Sequence, residues 1–166
     1  MEGSNEETIS VRDARPGDAD ALERLHADVA RYYTEPVPHY FRVAVLNGDG
    51  EQAATPPTSD TLRLVAEVGG EVVGALAARL LAPEGLAPAG GEPAEKRLRI
   101  DYLATAADRR RGGIGTRLVQ AAETWGRASG ATVAETTTFQ DSPLSVPFWE
   151  DRMGYEELSM TLKKRL

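Results

Sequence analysis

The sequence predicts an α/β (α+β) fold built on a mixed central sheet, and three stretches carry that expectation. Leu62–Val68 and Glu71–Leu81 are β-rich runs joined by Gly69-Gly70, the signature of a tight antiparallel hairpin. Arg97–Thr105, a glycine-rich loop, an amphipathic stretch and Thr132–Phe139 read as strand, helix and strand, so those two strands run parallel with a right-handed crossover. A further strand and amphipathic helix lie near the N-terminus. Antiparallel and parallel pairs in one chain make the sheet mixed.

In chain order, residues 1–7 are polar and acidic with nothing to bury, and disorder is expected there, leaving one domain over residues 8–166. Thr8–Ala14 alternates Ile9 and Val11 with polar residues as a short strand does. Pro16-Gly17-Asp18 turns the chain and offers Asp18 as the N-cap of a helix to Tyr33, with Ala21, Leu22, Leu25, Val29 and Tyr32 on its apolar stripe. His26 flanks that stripe. Two prolines interrupt Thr34–Gly50, where Tyr33, His39, Tyr40 and Phe41 gather, and Gly48–Asp60 has the composition of a connecting loop. Ala82–Glu95, with three prolines and three glycines, reads as an exposed insertion after the hairpin. The helix Gly113–Ser129 buries Ile114, Leu118, Ala121, Ala122 and Trp125 and ends at Gly130. Pro143–Met153 is a short helix stopped at Gly154-Tyr155, and Glu157–Lys163 is a closing strand.

Composition narrows the function. A chain of 166 residues suffices for a core, and the absence of cysteine removes disulfides, thiolate metal sites and a thiol nucleophile. No apolar run approaches the ~18 residues of a membrane span, and the acidic start is unlike a signal peptide, so a soluble cytoplasmic protein without a membrane partner is expected. The formal charge of −7 opposes general nucleic-acid binding and suits a cationic small molecule. Positive charge is concentrated at Arg109-Arg110-Arg111, beside Gly112, Gly113 and Gly115. Those glycines let a ligand approach the backbone, and the first amides of the following helix lack partners, which together make an anion cradle.

Known glycine loops differ in their flanks. A P-loop requires Gly-Lys-Ser/Thr, whereas Gly115 is followed by Thr116-Arg117, and a dinucleotide loop starting at Gly113 has Leu118 where its third glycine belongs. Arg110-x-x-Gly113-x-Gly115 after a strand resembles motif A of the GNAT superfamily of N-acetyltransferases, whose Arg/Gln-x-x-Gly-x-Gly/Ala loop holds the pyrophosphate of acetyl-coenzyme A. The order of elements from residue 9 to about 162 follows that family. The resemblance implies a GNAT fold with splayed parallel strands and helices on both faces. It also implies transfer of an acetyl group from acetyl-CoA directly to a primary amine, of a small molecule, without a metal.

By the same resemblance the pyrophosphate rests on Arg111, Gly112, Gly113, Ile114, Gly115 and Thr116 with Arg110 adding charge, and pantetheine pairs with the backbone of Leu103, Ala104 and Thr105. Tyr33, His39 and Tyr40 become candidates for the acceptor pocket, and many relatives are homodimers. An amine of pKa about 10.4 is neutral in only about one molecule in 2,500 at pH 7, so a base is needed. Asp101, one strand step from Leu103 and on its face in a regular strand, is the first candidate and Glu135 the reserve. Many relatives end in Asn-x-x-Ala-x-x-Phe-Tyr-x-x-x-Gly-Phe, whose Asn contacts coenzyme A and whose Tyr protonates the leaving sulfur. Here Ser142 stands for the Asn and Trp149 for the Tyr, with one extra residue before Gly154. Trp149 becomes a wall of the cofactor cleft, and Tyr155 or Tyr102 is left as the acid. The departures also admit an alternative, a catalytically silent acyl-CoA-binding or sensor domain of the same fold.

Overall fold

A computed structural model describes residues 8–34, 59–83, 95–140 and 142–158. The N-terminal tail, His39, Tyr40, most of the 82–95 insertion and most of the expected closing strand lie outside these residues. Five strands form one sheet in chain order: β1 (Ile9–Asp13), β2 (Thr61–Val68), β3 (Glu71–Leu81), β4 (Arg97–Thr105) and β5 (Val133–Thr136). The first three pairings are antiparallel and β4–β5 is parallel. Gly69 and Gly70 both have positive φ, 59° and 87°, the backbone that a two-residue hairpin needs to match strand twist.

Helix α1 (Ala19–Thr34) covers one face and α2 (Ile114–Ala128) the other. Under α2 lies the larger core, where Leu62, Leu64, Leu76, Leu98 and Ile100 of the sheet meet Ile114, Leu118, Val119 and Ala122. Leu22 and Leu25 of α1 pack on Val65, Ala75 and Ala104. Two glycines set how closely α2 lies on the sheet. A Cβ on Gly126 would fall 3.0 Å from Leu98 Cδ2, and one on Gly74 of β3 would fall 2.6 Å from Ile114 Cγ2 and 3.3 Å from the Ala104 carbonyl.

Three local expectations change. Asp18 does not cap α1. It ends a 3-10 turn at Pro16–Asp18 and its carboxylate accepts from the Arg15 N–H at 2.7 Å and from Arg12, which also donates to Glu67 on β2 and to the Asp13 carbonyl. The hydrogen bonds from Arg12 hold the Asp18 carboxyl below the usual carboxylate range, so this clasp between β1, the turn and β2 is lost as pH falls. β5 stops at Thr136 instead of Phe139, because β4 offers it no ladder beyond Ile100. Pro143–Met153 divides into a short α3 (Ser145–Pro147) and a π turn (Phe148–Arg152).

Since α2 has no room to withdraw at Gly74, Gly74→Ala is expected to cost about 1–3 kcal/mol through overpacking. Urea denaturation should show a lower midpoint with an unchanged m-value.

Candidate active site

The site grows from the end of β4. After Thr105 a 3-10 turn at Ala107–Arg109 leads to Arg110, extended at φ −64° and ψ 154°, and then to two left-handed positions, Arg111 at φ 65° and Gly113 at φ 83°. Helix α2 starts at Ile114, and its first backbone bond runs from the Arg117 N–H to the Gly113 carbonyl at 3.0 Å. Gly113 is the N-cap and has no side chain to offer, so the N–H groups of Ile114, Gly115 and Thr116 point out of the helix end uncapped. The positive end of the helix dipole and the guanidinium of exposed Arg111 lie beside them, at the loop where the sequence leads one to expect an anion. Gly115 is also sterically set: a Cβ there would lie 3.3 Å from the Phe148 ring and 3.8 Å from Leu103 Cδ2. Arg110 does not point freely into solvent. Its guanidinium carbon lies 5.0 Å from the centroid of Tyr32, a cation–π contact that ties the loop to the last turn of α1.

The second part of the site is a fork in the sheet. β4 and β5 are paired from Arg97↔Val133 to Ile100↔Thr136, and the last rung is reinforced by Thr136 Oγ1 donating to the Ile100 carbonyl at 3.1 Å. Beyond it β4 continues for five residues, paired among the described residues with β3 alone. The Ala106 N–H bonds to the Val73 carbonyl on β3 at 2.9 Å, so strand alternation turns the N–H and C=O of Leu103 and Thr105 into the fork and those of Ala104 toward β3. Leu103 and Thr105 therefore keep an open backbone edge, while Ala104 does not: it is paired with Ala75 and its side chain is buried beneath α1.

A register shift in β4 changes the position of Asp101. Ala77 pairs with Tyr102 and Ala78 with Ile100, so Asp101 is the extra residue of a β-bulge. Leu98, Ile100 and Leu103 consequently join the α2 core, whereas Tyr102 and Ala104 join the α1 core. Asp101 faces the α1 side, opposite to Leu103, contrary to the regular alternation assumed from sequence. Its carboxylate meets Arg79 Nε at 3.0 Å and Arg99 Nε at 3.6 Å. Glu135 is likewise engaged, by Arg97 at 3.1 Å and Arg99 at 3.3 Å. Tyr102 is stacked on His26 of α1 at 5.1 Å, and burial, then the charge of Asp28, pushes its phenol well above the ordinary tyrosine value. Tyr33 closes the mouth of the fork, its hydroxyl 2.5 Å from Ser145 Oγ and its ring 5.2 Å from Phe139.

The segment after β5 holds three of the residues singled out in the sequence. Ser142 is buried, and its Oγ accepts from the Ser145 N–H at 3.1 Å, so it caps the following turn instead of presenting itself to a ligand. The Met153 N–H reaches back five residues to the Phe148 carbonyl at 3.0 Å, and this π turn accommodates the extra residue before Gly154. Trp149 is consequently turned into the core, only 7% exposed and packed on Phe148 and Tyr155. It is Phe148, not Trp149, that lies against the glycine loop. Tyr155 is also displaced from the chemistry: its hydroxyl donates to Glu123 at 3.2 Å, and nine residues of helix put that contact about 13 Å from the start of α2. Burial and then Glu123 raise its phenol above the ordinary value. Sequence reasoning missed Phe148, whose role depends on the π turn, and the Tyr32–Arg110 contact, whose only sequence signal is a tyrosine at the end of the α1 stripe.

Comparison with known proteins gives the family and the fold. The Acetyltransferase (GNAT) family model matches residues 22–155, and the chain belongs to that family. A mutant of the BH1408 protein from Bacillus halodurans superposes with a TM-score of 0.81 at 20% identity, over 95% of this chain and 99% of that one. A transcriptional regulator from Bacillus halodurans C-125 gives 0.69 at 23%, over 96% and 100%. Aminoglycoside N-acetyltransferase AAC(6')-Iy in complex with CoA gives 0.64 at 16%, over 96% and 95%. At these identities the likeness shows the GNAT fold alone. No curated protein sequence matches the chain. Among the described residues, no helix is long and apolar enough to cross a membrane, and no group of three or more metal-ligating side chains gathers.

Because its hydroxyl is spent on Glu123, Tyr155→Phe is expected to leave turnover within about twofold while removing about 1 kcal/mol of stability. Parallel steady-state kinetics and thermal unfolding check both.

Proposed function

We propose that this protein is an N-acetyltransferase that moves an acetyl group from acetyl-CoA directly to the primary amine of a small molecule, as a single domain over residues 8–166. Family membership supports acetyl transfer in general. One observation carries the rest: an uncapped helix N-terminus at the end of a strand whose neighbouring strand has diverged. This combination suits a ligand with a phosphate at one end and a hydrogen-bonding, strand-like arm. The N–H groups of Ile114, Gly115 and Thr116, assisted by Arg111 and by Arg110 from its seat on Tyr32, hold the pyrophosphate. Leu103 and Thr105 offer the edge along which the pantetheine arm adds, and Phe148 closes the α2 side. CoA bound to AAC(6')-Iy, on the same fold, supports CoA as the ligand in general.

When bound, acetyl-CoA supplies an activated carbonyl and a leaving thiolate. An N–H of Leu103 or Thr105 is positioned in the fork to donate to the carbonyl oxygen as charge develops on it. Asp101, next to the last rung of the fork and on the side away from Phe148, accepts the amine proton directly or through water, while its arginines fix the carboxylate in place. No phenol is required for the thiolate, since a thiol of pKa about 8.5 leaves with little assistance. The placement of Trp149 and Tyr155 away from the cleft also favours a second reading, an acyl-CoA-binding or sensor domain without turnover. We assign the protein to the cytoplasm with no membrane or nucleic-acid partner on charge and composition, and homodimerisation by analogy with the family.

Acetyl-CoA at about 100 times its dissociation constant should stabilise the protein by about 2.7 kcal/mol, several degrees in a thermal scan. Gly113→Val, which strains a φ of 83° in otherwise open space, should keep the fold and lose that rise. A saturable rise with release of free thiol in the presence of an amine panel supports the enzyme; a rise without release favours the sensor.

For the base, Asp101→Asn is expected to lower kcat by about 100-fold or more and to flatten the limb of the pH–rate profile that rises with pH. An unchanged kcat with a raised acceptor KM would make Asp101 a positioning residue instead.

A further inference from the structure

Resting on the acetyltransferase reading, we infer that the acceptor amine carries a carboxylate and that Arg79 binds it. The argument starts from the register. Arg79 of β3, Arg99 of β4 and Glu135 of β5 are direct cross-strand partners and form one row across the sheet, one rung before the Ile100–Thr136 pair at which the fork opens. The row lies on the α1 face, because the residues alternating with it, Ala78, Leu98, Ile100 and Ala134, pack in the α2 core. An acceptor has to reach the fork from this face. On the other side Leu103, Ile114 and Phe148 fill the space beneath α2.

The row has an unusual charge arrangement. Arg79 and Arg99 stand directly opposite each other, a like-charge pair that destabilises a sheet unless it is countered. The bulge at Asp101 counters it by placing a carboxylate against both guanidiniums. Glu135 is held in turn by Arg97 and Arg99. Among the described residues, three guanidiniums against two carboxylates leave one positive charge in surplus, and neither acid of the row lacks an arginine. An acceptor bearing several ammonium groups would meet arginines here, not open carboxylates.

The surplus resides on Arg79. Its side chain is 55% exposed against 29% for Arg99, and its one ion pair among the described residues is made to Asp101, with Nε the nearest atom. Arg99 by contrast also donates to Thr137 Oγ1 at 2.7 Å. No hydrogen bond from the Arg79 Nη groups goes to a described residue, so Asp101 orients a guanidinium whose outer edge matches a carboxylate in bidentate fashion. The amine of such a molecule would then extend past Asp101 to the mouth of the fork. Small α- or ω-amino acids and short peptides have this chemistry. The net charge of −7 of the whole chain suggests a cationic partner, but the local row reverses that sign where the acceptor enters.

The test compares amines with and without the carboxylate on the intact protein. Amino acids and dipeptides are assayed against their C-terminal amides, together with spermidine and an aminoglycoside, by release of free thiol from acetyl-CoA. The inference predicts at least a tenfold lower KM for the carboxylate form of the best acceptor than for its amide, and a preference that collapses below threefold in Arg79→Gln and is partly kept in Arg79→Lys. Circular dichroism and the thermal rise with acetyl-CoA establish that each variant is folded and loads its co-substrate. Equal KM values for acid and amide, a preference that survives Arg79→Gln, or turnover confined to spermidine or the aminoglycoside overturns the inference and leaves the acetyltransferase standing. Absence of thiol release with every amine in the wild type, with or without the thermal rise, overturns the acetyltransferase reading, and the inference with it.

Discussion

The structure depends on an unsatisfied strand edge. Backbone N–H and C=O groups are nearly always paired when they are removed from water, and β4 runs through the middle of this sheet, where both of its edges should be occupied. β5 accompanies it only from Arg97 to Ile100 and then leaves, so Leu103 and Thr105 present hydrogen-bonding groups to a gap. The neighbouring elements keep that gap in place. Gly74 and Gly126 seat α2 close over β3 and β4, Tyr33 of α1 reaches across to Phe139 and Ser145, and Phe148 lies against the start of α2. The cradle at Gly113 and the edge at Leu103 belong to one site because they are consecutive parts of the same strand–loop–helix passage.

The bulge at Asp101 is the second organising feature. A single extra residue in β4 reverses the faces of everything after it. Ile100 can then remain in the α2 core while Tyr102 stacks on His26 beneath α1. Without the bulge, Tyr102 would be driven into the α2 core and the edge groups of Leu103 would turn toward β3. It also gives the row of arginines its counter-ion, so the residue that sets the register also sets the electrostatics of this face of the sheet.

The segment 142–155 shows how an insertion is absorbed without loss of the fold. One additional residue before Gly154 would rotate the rest of an α-helix by 100°, and the π turn at Phe148–Arg152 takes up that residue locally. Trp149 becomes a core residue and Tyr155 packs along α2 as a consequence. In the proposed reaction the departure of the sulfur would then rest on the thiolate's own stability as a leaving group, because the aromatic side chains of this segment are used for packing.

Much of the fold was legible from local patterns: the Gly69-Gly70 hairpin, the stripes of α1 and α2, the crossover between β4 and β5, and the Arg110-x-x-Gly113-x-Gly115 loop are all encoded by residues close in sequence. The uncapped start of α2 was legible for the same reason, since a glycine N-cap and the free amides behind it are one local motif. The positions of Asp101, Ala104, Ser142, Trp149 and Tyr155 were not, because each depends on a register shift or a π turn that is set by packing between distant segments. The bulge opposes β4 to β3, the π turn forms beneath α2, and Arg79 meets Arg99 only through strand pairing. The sequence by itself thus determined the class of fold and the glycine loop that starts α2. Only the tertiary structure decided which side chains face the cleft, since a one-residue shift in a strand or helix moves every later side chain to another face and costs little locally, so long-range packing selects it.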